Sequence, residues 1–172
     1  AVSAISDIVQ SFQLPNALIR TVAPVRERIY GLACTPFPTR VLAACRRRIR
    51  IIDPFGGEVG TQRHEFHEVT AFDFSPKTSQ VAISGDAGNI WLYEMGEKLP
   101  YTTTSDHKSS VTASVSFPKQ NLFVTADQAG RAVLHGPQGG VVADISLPQI
   151  APIRDVAISS DGLRLALAGA NN

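Results

Sequence analysis

Apolar and polar residues alternate along this chain in short bursts that recur at a fixed spacing. IYGLACTP (29 to 36), VTAFDFSP (69 to 76), VTASVSFP (111 to 118) and IRDVAISS (153 to 160) end at Pro36, Pro76, Pro118 and Ser160, giving steps of 40, 42 and 42. Period-two alternation that breaks at a turn predicts a strand. A small-residue-rich second strand follows each one: VLAAC (41 to 45), VAISG (81 to 85), LFVTA (122 to 126) and LALAG (165 to 169). A third fits IRIID (49 to 53), IWLYE (90 to 94) and AVLHG (132 to 136), and weaker fourth strands fit 58 to 63, 98 to 104 and 140 to 147. Four short antiparallel strands per repeat, with no convincing helix between them, predict an all-β radial array.

The N-terminal stretch differs. Val2, Ile5, Val9 and Phe12 fall at steps of 3, 4 and 3, one side of a short docking helix unless the piece is only a linker, and Leu18 to Val22 fits a strand ahead of the first repeat. The segment has no basic start and does not read as a signal peptide. No apolar run approaches the roughly 20 residues that span a bilayer. Lys+Arg 16 against Asp+Glu 15 leaves a net charge of +1, so an anionic partner would need a local patch. Two cysteines, Cys34 and Cys45, make neither a disulfide framework nor a zinc site, which favours a reducing compartment.

The repeat resembles the WD40 family of β-propellers. His107 stands four residues before the strand that opens at Val111, where the family places the His of its Gly-His motif, with Asp106 in place of Gly. Ile90-Trp91-Leu92-Tyr93-Glu94 is similar to the family's strand ending in Trp-Asp, with Tyr93 for Trp and Glu94 for Asp; Asp53 keeps the acid one repeat earlier. The resemblance covers residues 22 to 172, in repeats of about 25–66, 67–106, 107–148 and a truncated 149–172, behind an extension over 1–21. It implies four-stranded blades belonging to a propeller of about seven, and hence a fragment of a longer chain or a half-ring completed by another subunit. In either case, Leu18 to Val22 could latch such a ring or finish an earlier blade.

The resemblance also implies a buried hydrogen-bond network of a pre-strand His, a second-strand Ser or Thr, a turn Asp and a strand-terminal Trp. His107 and Thr125 fit it in the third repeat, where His135 stands in the Trp position. Ser84 fits in the second, where Asp86 is offset from the turn position. The network is therefore expected to be incomplete in every repeat, with substitute partners or waters, or reduced stability.

Chemistry-bearing clusters are few. His64, Glu65, His67 and Glu68 form an H-E-F-H-E run, but zinc-binding HExxH needs histidines four apart on a helix, and these are three apart before a strand. An exposed loop is the favoured reading, and no metal, cofactor or catalytic residue is expected. Arg40 and Arg46 to Arg50 are the sharp basic feature; they fit RNA or a phosphoinositide, or a solvated or protein-facing strand. A hairpin centred near Phe37-Pro38 sets Cys34 opposite position 41 rather than Cys45, which argues against a bridge.

By the family's geometry one face would collect Arg46, Arg47, Arg48, His64, His67, Glu68, Asp86, Asn89, Asp106, Ser109, Asp127 and Arg131. Their mixed sign suits a protein or peptide better than a bare polyanion. The expected function is a non-enzymatic WD40 scaffold in a multisubunit assembly, cytoplasmic or nuclear. The alternative is a propeller that binds RNA or phosphoinositide through the arginines.

Overall fold

The computed structural model describes residues 2–5, 8–13, 18–24, 27–36, 39–55, 57–66, 68–95, 102–104 and 106–170, with side chains from residue 27 onward except at 102 and 103. Two compact units divide the chain, Ala1–Val69 and Thr70–Asn172.

The first unit opens with β1 (Val2–Ile5), β2 (Ile8–Gln13) and β3 (Leu18–Pro24), an antiparallel sheet in the order β1-β2-β3. The expected helix over 1 to 12 is therefore wrong. Val2, Ile5, Ile8 and Val9 are β-branched and suit a strand, and β3 pairs with β2 from Ile8↔Pro24 to Gln13↔Leu18, with one register shift after Val9. A second sheet runs β4 (Ile29–Pro36), β5 (Thr39–Cys45), β6 (Arg48–Asp53) and β7 (Gly57–Arg63) in sequence order. Its register sets Cys34 against Val41 and Cys45 against Ile29, and both cysteines are free. Small side chains let β5 be buried from Val41 to Cys45; Val41, Ala43, Cys45 and Ile52 form a core against Ile29 and Leu32.

In the second unit β8 (Val69–Ser75) opens a sheet with β9 (Gln80–Gly85), β10 (Ile90–Glu94) and β11 (Thr102–Thr104). The next sheet contains β12 (Val111–Ser116), β13 (Phe123–Asp127), β14 (Arg131–His135) and β15 (Val141–Ser146). A pair, β16 (Ile153–Ile158) and β17 (Leu165–Gly169), follows a 3-10 turn at Pro148–Ile150. Alternation explains the packing. Ala71, Ala82, Ile90 and Leu92 of one sheet meet Val111 and Phe123 of the next. Ala113, Val124, Ala126 and Ala132 meet Ile153 and Val156. Fully burying a side chain such as Leu92 or Phe123 contributes about 1.5–3 kcal/mol. Polar ties cross between sheets as well: Ser116 donates from its hydroxyl to the Phe74 carbonyl (3.2 Å) and from its backbone N–H to the Asp73 carboxylate. The Thr112 hydroxyl donates to the Ile153 carbonyl (2.5 Å).

Two glycines set the turns of this unit. Gly88 has φ +77° and Gly130 φ +83°, and a Cβ would lie 2.4 Å from the His107 carbonyl oxygen at the first and 2.5 Å from the Leu147 carbonyl oxygen at the second. Both positions need the left-handed backbone and the missing side chain together.

The all-β reading holds, but the closed architecture does not. The sheets are separate and open, and none curls onto itself or joins a closed propeller among the described residues. Closure needs every sheet to be completed and taken up by a neighbour. Here β16 and β17 form a pair, and β3 joins β2 rather than latching another sheet. The WD40 assignment, the blade array and the seven-bladed ring drawn from it are corrected accordingly. Local alternation specifies strands and hairpins, whereas ring closure depends on contacts that no period reveals.

Candidate functional site

Polar groups converge inside the sheet of β12 to β15. Thr125 lies on β13 with its side chain fully buried, and Asp127, 1% exposed, ends that strand. The His107 Nδ1–H donates to Asp127 Oδ2 (2.8 Å), and His107 Nε2 sits 2.8 Å from Thr125 Oγ1. On its other side Thr125 Oγ1 lies 2.7 Å from Nε2 of His135, whose Nδ1 faces the Gly139 carbonyl at 3.4 Å and Asp106 Oδ2 at 3.8 Å. A line of close polar contacts thus runs Asp127–His107–Thr125–His135–Gly139. The network expected to be incomplete everywhere is completed in this sheet by His135.

The other carboxylate oxygen of Asp127 closes the turn into β14. Its Oδ1 accepts the backbone N–H groups of Ala129 and Arg131, both at 2.9 Å. Burial pushes the carboxyl up, but the Arg131 N–H and His107 more than offset it and hold Asp127 below the usual carboxylate range. Burial pulls the His135 imidazole down, only partly opposed by the Gly139 carbonyl and Asp106. Arg131 pairs with Asp144 (2.6 and 2.9 Å) and donates to the Asp106 carbonyl.

The second sheet lacks this chain. Ser84 is fully buried and its hydroxyl meets no hydrogen-bond partner among the described residues. Tyr93 is buried with its ring 6.2 Å from that of Trp91, and Glu94 is exposed at the end of β10 opposite Gln80. In the first unit Asp53 caps its own turn by accepting the Phe55 N–H (2.8 Å) and pairs with Arg40 (2.8 Å).

The residues expected to share a recognition face differ in their exposure. Arg46, Arg47, Arg48, Glu68 and Asp86 are exposed, and Asn89, Asp106, Ser109 and Arg131 are half-buried. His64 and Asp127 are interior, and His67 lies outside the described residues. In the second unit the turns do meet: the Ser110 hydroxyl donates to the Asp86 carbonyl (2.7 Å), and the Ala129 N–H donates to Ser109 Oγ (3.3 Å).

His64 is not on an exposed loop. It is 5% exposed, its Nε2–H donates to the Cys45 carbonyl (3.0 Å), and its ring lies 5.9 Å from that of buried Phe66. Burial lowers its pKa to about 4 despite backbone hydrogen bonds at Cys45 and Arg48. Burial likewise pushes the Cys45 thiol up to about 12, far from a reactive thiolate. Among the described residues no group of three His, Cys, Asp or Glu could hold a metal ion.

Three arginines of the basic feature form ion pairs within the chain. Arg48 pairs with Glu27 (2.9 Å), Arg50 with Glu27 (3.3 Å) and Glu58, and Arg40 with Asp53. A polyanion would have to compete with those carboxylates, and the propeller on which the RNA or phosphoinositide reading rested is itself corrected. The run of arginines is legible in the sequence; its pairing with Glu27, distant along the chain, is not.

Comparison with known proteins bears on the fold. No protein-family profile matches the chain, and no curated protein matches it in sequence. Solved structures do match: 1097 chains share the fold, which is too common an architecture to name an activity. One comes from the crystal structure of a mitotic checkpoint complex, with a TM-score of 0.80 at 16% identity over 96% of this chain and 53% of that one. The chain thus spans about half the length of that structural relative, and at such identity the likeness is one of fold. No helix among the described residues is long and apolar enough to cross a membrane.

Proposed function

We propose that this chain is a non-catalytic β-sheet scaffold, acting inside the cell, that takes up an extended segment of a partner protein along the open edge of β15. The observation that carries the reading is β15 itself. All six residues, Val141 to Ser146, are exposed, including Val141 (48%), Val142 (59%) and Ile145 (40%). On the side away from β14 no described strand pairs with it. An unpaired edge offers backbone N–H and C=O groups to an incoming strand. The edge's one charge, Asp144, is engaged by Arg131, so the complementary segment is uncharged and apolar at alternate positions. The interior placement of His64, His107, Thr125, Asp127 and His135 supports a structural rather than catalytic use of those groups. The similar fold of a chain in a multiprotein complex fits the same role.

A photo-crosslinking residue at position 142, with position 163 as an exposed control, identifies the partner. The purified pair is then titrated. Val142→Lys and Ile145→Lys should each weaken binding about tenfold or more, the loss of roughly 1.4 kcal/mol. Unchanged affinity in both variants would remove β15 as the docking edge.

A further inference from the structure

The chain from Asp127 to Gly139 has four links and, with both imidazoles neutral, three hydrogens to fill them. The links are Asp127–His107, His107–Thr125, Thr125–His135 and His135–Gly139. A carboxylate and a carbonyl bring no hydrogen; each neutral imidazole brings one and the hydroxyl one. Three hydrogens satisfy the three short links, leaving the His135 Nδ1 lone pair against the Gly139 carbonyl oxygen, which is also the longest link at 3.4 Å. A fourth proton completes the set.

We infer that this chain is a buried proton relay, in which a proton taken up at His135 Nδ1 is stored as a cation on His107. The transfer balances atom by atom. As Nδ1 of His135 gains the proton, its Nε2–H passes to Thr125 Oγ1, and the Thr125 hydroxyl hydrogen passes to Nε2 of His107. His135 ends neutral in the opposite tautomer and donates to Gly139. His107 ends as an imidazolium against Asp127 at 2.8 Å, where a carboxylate favours it most.

The surrounding charges favour uptake. Asp106 precedes β12 and lies 3.8 Å from His135, Asp127 ends β13, Asp144 is on β15, and Arg131 on β14 is the cation facing them, while Lys108 is exposed. Three carboxylates against one guanidinium leave the cluster negative before the fourth proton arrives. Burial opposes a charge on either ring, but His107 alone has a carboxylate at hydrogen-bond distance to meet it, which is why the relay to His107 matters and why filling requires acidification. The Gly139 link fastens the tight turn in which Gly139 donates to the Gly136 carbonyl (3.0 Å) and Gly136 to the Gly140 carbonyl (2.8 Å). That turn is therefore held more firmly in the protonated form.

Nitrogen-15 NMR of the histidine rings in the intact chain, followed from pH 8 down to about 5, reads both rings directly. The expected result is one step with a shared midpoint: His107 Nε2 becomes protonated while His135 moves its proton from Nε2 to Nδ1. Double protonation of His135 with His107 unchanged overturns the relay, and so does the absence of any change in either ring across that range. Thr125→Ser should keep the coupled step. Thr125→Val should leave His135 to titrate alone, with proton affinity lower by about tenfold, one pH unit. If that variant does not fold, the tautomer change in the unaltered protein still decides the matter.

Discussion

Acid should loosen the first unit through His64. The imidazole titrates at about 4 in the folded chain against an ordinary 6.5, because burial against Phe66 disfavours its charged form. A lowered folded-state pKa means that the unfolded chain binds the proton more tightly. Stability is then intact above the unfolded pKa and lost as the pH falls from 6.5 toward 4. The 2.5-unit gap between the two pKa values corresponds to about 3 kcal/mol at full effect, of which about 2 kcal/mol is gone between pH 7 and pH 5. His64→Gln keeps an N–H for the Cys45 carbonyl but cannot titrate. Native-state hydrogen exchange at the amides of Leu42 to Cys45, compared at pH 7 and pH 5 after correction for intrinsic rates, isolates the unit that contains His64. The wild-type chain should lose about 2 kcal/mol more than the variant. Equal losses in the two proteins, or a His64 ring titrating near 6.5 in the folded state, would refute the reasoning.

Three further outcomes follow from the second unit. Ser84→Ala should leave stability unchanged or raise it by up to about 1 kcal/mol in urea unfolding, because it removes a buried hydroxyl with no hydrogen-bond partner among the described residues. Thr125→Val, by contrast, should cost about 3 kcal/mol by the same measurement, since it strands both His107 and His135. Gly130→Ala should destabilise by about 2 kcal/mol or more, the left-handed strain adding to collision with the Leu147 carbonyl; Gly140→Ala, where a Cβ meets nothing within 4 Å, should change little.

Strands were the legible part of this chain because their cause is local. The alternation of VTAFDFS becomes β8, and the hairpin arithmetic that sets Cys34 opposite position 41 is the observed register. At residues 1 to 12 the same kind of pattern misled, because steps of 3, 4 and 3 also fit apolar residues on two short strands, and a partner strand settled the choice. Motif position located His107 and Thr125, but the role of Asp127 was hidden: an acid in a turn reads as exposed until the ring that covers it is placed. The repeat period suggested a closed ring, yet closure is a property of sheet edges and lies beyond any single repeat. His64 shows the same limit in reverse, since a histidine beside two glutamates reads as a loop until Phe66 and the Cys45 carbonyl enclose it.

The glycine turns bear on where this chain can change length. At Gly88 and Gly130 the backbone runs so close to the carbonyls of His107 and Leu147 that an inserted residue has nowhere to go. The turn at Gly140 has open space beside it. Added chain should therefore be accommodated better beside Gly140 than at 86 to 89 or 127 to 131, where the outline of the turn is fixed by the carbonyl it rests against.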